Sequence, residues 1–117
     1  MAKFVKERYI AQTIEMIKSP AYADLSGNAV KLMTLIQVQW RKDEPIAYSI
    51  TEAQQKIGCC RGNAHKAFKE LESHGFIKLM LDAHFHRQLA RSWRLTFRPY
   101  HDHQPTDDWK KWVALGS

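Results

Sequence analysis

Two glycines, Gly58 and Gly75, punctuate the segment that most restricts what this chain can become. Ser49-Ile50-Thr51-Glu52 sets a serine three residues before a glutamate, the capping-box pattern that opens a helix. Thr51 is a competing cap, so the start is defined only to about two residues. A short helix runs from here to Ile57, and Gly58 stops it. A second helix starts near Cys60 or Arg61 and carries Ala64, Ala67, Phe68 and Leu71 at helical spacing, one apolar face. It ends at His74-Gly75, where glycine suits a left-handed C-cap. Helices joined by so short a turn pack closely only through small residues. Ala53 on the first helix and Ala64 and Ala67 on the second are such residues.

The flanks extend this pair on both sides. Phe4 to Lys18 carries Ile10, Ile14 and Ile17 at a helical spacing, which predicts an N-terminal helical extension. Ser19-Pro20 closes it, because the residue before proline is pushed out of the helical region. Ala21 to Leu25 reads as a short helical turn or connector. Ser26 is a candidate N-cap. Ala29, Val30, Leu32, Met33, Leu35, Ile36 and Trp40 then form a broad apolar surface that predicts a mostly buried helix. After the polar loop Arg41–Pro45, Ile46, Tyr48 and Ile50 alternate as in a short strand. Downstream, Phe76–Leu81 and Ser92–Phe97 read as two strands around a polar, histidine-rich loop, Asp82–Gln88. Pro99 ends the second strand.

The expected order is helix, helix, short helix, turn, helix, strand, loop, strand. It predicts a mainly α chain with a small β-hairpin wing (α+β), the layout of a winged helix-turn-helix. Residues 1–98 form that domain with its N-terminal helical extension. Residues 99–117 form a C-terminal tail in which Trp109 and Trp112, three apart, share one face of a short docking helix. Their own domain, a dimer partner and a second protein are all open as the surface they meet.

A chain of 117 residues with 44% hydrophobic content fits one such domain, with a core that needs no metal or disulfide. No stretch approaches the roughly 18 apolar residues of a membrane span. Met1–Arg8 mixes charges without the apolar run of a secretory signal. Cys59 and Cys60 are adjacent, so a bridge between them would strain the backbone. Reduced thiols and a cytoplasmic setting are expected. The net charge is +6, and its distribution is uneven. Between Arg61 and Arg98 eight Lys/Arg stand against three Asp/Glu. Before that the numbers are eight and six, and after it two and three. The positive field therefore lies on the second helix and the strands, and nucleic acid is the commonest polyanion to meet it.

The outward residues of the second helix are Arg61, Gly62, Asn63, His65, Lys66 and Lys69. Arginine pairs in a fork with guanine and asparagine with adenine, while lysine neutralises phosphate. Gly62 lets a duplex approach the backbone near the helix start, where the positive helix end also favours phosphate. Arg87 and Arg91, with His84 and His86, lie in or beside the hairpin loop, suited to phosphates or a narrow minor groove. The plain alternative is a core helix with a solvated basic face and a loop that is polar because loops are. Double-stranded DNA is the expected partner. A homodimer would read half-sites about one helical turn apart, with Ile10, Ile14 and Ile17 a candidate dimer surface.

Ile57-Gly58-Cys59-Cys60-Arg61, Ala64 to Ala67-Phe68, Glu70-Leu71-Glu72 and Gly75-Phe76-Ile77 resemble a common bacterial winged-helix pattern. With Ser19-Pro20-Ala21-Tyr22, Leu25-Ser26 and Trp93-Arg94-Leu95-Thr96, the chain resembles small bacterial winged helix-turn-helix DNA-binding proteins of plasmids, phages and integrated elements, over Phe4 to Thr96. The resemblance implies DNA binding, as a transcriptional regulator of a mobile element or phage, or as a replication accessory protein. Cys59-Cys60, Gly62-Asn63 and Phe68 depart from the pattern, which leaves the target sequence unspecified.

Other chemistries find less support. His84-Phe85-His86, His101-Asp102-His103 and the cysteines supply zinc-ligand types, but the usual metal spacings are absent. Cys59 and His65, six apart, fall on different helix faces. No glycine-rich phosphate loop is present. The expectation is no enzyme, no metal and no cofactor. The rival function is a protein-interaction module on a winged-helix scaffold, since fold does not fix function.

Overall fold

The computed structural model describes residues 7–81 and 91–114. Among them are five α-helices and a small antiparallel sheet of three strands. The helices are α1 (Ile14–Ile17), α2 (Pro20–Ala23), α3 (Gly27–Val38), α4 (Ile50–Ile57) and α5 (Arg61–Ser73). The strands are β1 (Ile46–Ala47), β2 (Ile77–Leu81) and β3 (Ser92–Leu95), and a 3-10 turn spans Asp108–Lys111 in the tail. No described helix is long and apolar enough to cross a membrane.

Hydroxyl side chains start four of the helices. Thr13, Ser19, Ser26 and Ser49 accept from the backbone N–H of Met16, Tyr22, Ala29 and Glu52. Each satisfies a donor that the helix itself cannot pair. Ser49 therefore opens α4, not Thr51. The glutamate half of the expected capping box does other work, because the Glu52 carboxylate accepts from Gln39 Nε2 at 3.3 Å. Gly58 ends α4 at φ 80°. The turn is held by N–H bonds from Gly58 and Cys59 to the Gln54 carbonyl and by Lys31 Nζ donating to the Ile57 carbonyl at 3.1 Å.

The N-terminal helix needs correction. Among the described residues the expected span from Phe4 to Lys18 contains only the single turn Ile14–Ile17, because Thr13 caps there and residues 7–13 are not helical. Its isoleucines face outward, with Ile14 70% exposed, and Met16 is the residue that enters the core. β3 is also shorter than expected. It stops at Leu95, where the chain turns toward the tail.

α5 packs on α3, α4 and β2. Ala53 and Ile57 of α4, Ala64, Ala67, Phe68 and Leu71 of α5, and Ala29, Leu32, Met33 and Ile36 of α3 meet in one core. The sheet, in the order β1-β3-β2, closes it with Ile46, Ile77, Trp93 and Leu95. Phe68 stacks on Trp93 with ring centroids 5.1 Å apart, and Trp93 Nε1 donates to the Tyr48 carbonyl. Burial, with a smaller push from the Glu52 carboxylate, raises the Tyr48 phenol above its usual range. The neutral ring thus belongs to the folded state, and stability falls once the pH climbs past the ordinary phenol value.

The tail docks on the domain. Trp109 is buried and lies parallel to Phe76, and its Nε1 donates to Asp107. Asp107 N–H donates to the Thr96 carbonyl, and Thr96 Oγ1 donates to the Gly75 carbonyl at 2.6 Å. Trp112 is half-buried and stacks on His74 at 4.6 Å. A tetrahedral carbon on Gly75 would lie 2.7 Å from the Asp108 carbonyl carbon, so glycine is required there on two counts, contact and a φ of 85°.

Candidate nucleic-acid interface

α5 owes its direction to the elements it packs against. Its buried residues, Ala64, Ala67, Phe68 and Leu71, face α3, α4 and the sheet. At ~100° of rotation per residue, Gly62, Lys66, Lys69 and Ser73 fall together on the opposite side. All four are exposed. Arg61 and His65 form one shoulder of this face, and Asn63 and Glu70 form the other.

The shoulders are not equally available. Arg61 Nη1 donates to Thr51 Oγ1 at 3.3 Å, which leans the guanidinium toward the start of α4. His65 is half-buried. Asn63 is exposed. Glu70 is committed elsewhere: its carboxylate receives both the N–H and the hydroxyl of Ser26 and thereby caps α3 from outside. Glu72 is exposed on the Arg61 side. The centre of the face thus holds two lysines and no carboxylate.

The N-terminus of α5 differs from the other four. Cys60 occupies the cap position and makes no side-chain bond to the first turn. Gly62 lies in the first turn, and among the described residues nothing lies within 4 Å of the position a Cβ would take. The fold gives no steric reason for glycine there, whereas at Gly75 it gives a strong one.

Of the two hairpin arginines, Arg91 stands at the foot of β3 and is half-buried. Its carbonyl accepts from Tyr48 N–H at 3.0 Å. Arg87, His84 and His86 lie outside the described residues. Cys59 packs partly against the core, Cys60 is exposed, and both are free thiols. Among the described residues no three metal-ligating side chains converge.

Two side-chain links escaped the sequence reading. His74 bridges helices, with Nε2 2.7 Å from Asp24 Oδ2 and Nδ1 2.7 Å from the Glu70 carbonyl. With Glu70 and Ser26, it anchors the far end of α5 to α2 and α3. Partners 50 and 44 residues away leave no local pattern to find. No protein-family model, curated protein or solved structure matches this chain.

Proposed function

We propose that the chain is a winged helix-turn-helix protein that binds double-stranded DNA, with α4 and α5 as the helix-turn-helix and the β2–β3 hairpin as the wing. The observation that carries this reading is the exposed face of α5. It combines Gly62, Lys66 and Lys69 with an uncapped helix start, and no acidic group lies at its centre. Lysines on such a face neutralise phosphates, and the open first turn offers N–H groups to one more. Arg61, Asn63 and His65 flank it and are the side chains for base edges. Gly62 lowers the barrier to close approach of a backbone. Lys69, Arg87 and Arg91 contribute phosphate contacts, which set register without reading sequence.

The chain acts in this reading as a cytoplasmic transcriptional regulator of a mobile element or phage and is not an enzyme. It needs no cofactor. Ile14 and Ile17, exposed on α1, are the apolar surface it offers to a second copy in a homodimer.

A gel shift with the DNA upstream of the protein's own coding sequence, run at two salt concentrations, tests the reading. Retention at low salt that weakens at high salt is expected. An Arg61→Ala, Lys66→Ala double variant that binds as tightly as wild type would remove α5 from the interface. No binding at low salt would favour the protein-interaction alternative.

A further inference from the structure

Away from α5, a groove of about 770 Å³ runs beside the C-terminal half of α3. Tyr9, Ile10, Val38 and Trp40 line it together with Arg8 and Arg98. Arg98 Nη2 donates to the Ala11 carbonyl and ties the N-terminal segment in place. Gln37 also lines the groove. Its side chain is almost wholly buried, yet among the described residues neither its amide nitrogen nor its amide oxygen has a hydrogen-bond partner. A desolvated, unpaired polar group is costly to a fold, so an apolar residue would serve the fold better here.

The lining specifies a kind of ligand. Its volume lies in the range of small-molecule sites, roughly 300–1,000 Å³. Tyr9 and Trp40 offer aromatic faces, and Ile10 and Val38 offer apolar contact. A primary amide presents one donor beside one acceptor, which matches the edge of a heterocycle with the same pair reversed. The outer torsion of glutamine is soft, so the amide can turn to meet such an edge. Arg8 and Arg98 bring two positive charges, and among the described residues no acidic side chain lines the groove. We propose that this groove binds a planar heterocyclic anion of the nucleoside monophosphate class, with Gln37 reading the base edge, Tyr9 and Trp40 against its faces, and the arginines on the phosphate. None of these residues belongs to α5, so the inference stands or falls independently of DNA binding.

Isothermal titration of the full chain with the four common ribonucleoside monophosphates, the matching nucleosides and inorganic phosphate tests it. At least one monophosphate is expected to bind more tightly than its nucleoside and than phosphate alone. Gln37→Leu, close in shape and without the amide, should keep the fold and weaken that binding tenfold or more. Gln37→Glu, which removes the donor and repels phosphate, should weaken it further and gives a second variant if the leucine form does not fold. No binding by any monophosphate would overturn the proposal. So would phosphate binding as well as the nucleotides, or an affinity indifferent to both substitutions.

Discussion

α5 carries one glycine near each end, and the two sit in opposite circumstances. Gly75 is held at φ 85° with the tail backbone pressed on its α-carbon. Around it His74, Glu70 and Trp109 bind α5 to α2, α3 and the tail. Gly62 lies in a regular helix with open space where a side chain would be. Around it are Lys66 and Lys69, a cap without a side-chain bond, and no carboxylate at the centre. The C-terminal end of the helix is finished within the chain. The N-terminal end is left open, with no side-chain cap. In the proposed reading the anchored end holds the open one in place, as contacts to a nucleic acid require.

The comparison can be broken first at the finished end. Trp109→Ala empties a buried site against Phe76 and should lower unfolding stability by about 3–5 kcal/mol. Gly75→Ala adds a contact with the Asp108 backbone to an unfavourable φ, and a loss of about 2–4 kcal/mol is expected. Urea denaturation followed by tryptophan fluorescence measures both. A loss under 1 kcal/mol for either would mean that the tail does not seal this end.

The open end answers differently. Gly62→Ala should leave the fold intact or stabilise it by about 0.5 kcal/mol, because alanine is the better helix former. The same change should weaken duplex binding, measured by fluorescence anisotropy, because a methyl group would stand where the proposed interface brings the duplex backbone close. Opposite signs in the two measurements would sharpen the contrast. Unchanged binding would show that Gly62 is only a tolerated glycine. The smallest effect is expected for Lys69→Ala, which should weaken all duplex sequences alike and reduce the salt slope by about 0.9.

Much of this architecture was legible in the sequence where its causes are local. Ser26 and Ser49 cap helices through bonds to residues three positions on. Gly58 and Gly75 end them by their own backbone geometry. The apolar face of α5 follows from periodicity alone, and with it the opposite basic face. What the sequence obscured depends on distant partners. The Ile10-Ile14-Ile17 spacing mimics an inward face, but the single turn of α1 buries Met16. Nearby, Lys110 of the tail lies 3.9 Å from Glu15, and Arg98 holds Ala11. A one-turn helix takes its orientation from such contacts, not from its own period. The diversion of Glu70 to Ser26 was equally hidden, although it decides the charge balance of the candidate site. The burial of an unpaired amide at Gln37 leaves no mark on the helical pattern of α3.

The central claim is that the open face of α5 meets a duplex through its lysines. The most direct test is the dependence of duplex affinity on salt, for wild type and for a Lys66→Ala, Lys69→Ala variant of equal stability. A steep loss of affinity with salt is expected for wild type, and a slope shallower by about 2 for the variant, since each phosphate contact contributes about 0.9. Identical slopes and affinities for the two proteins would contradict the account.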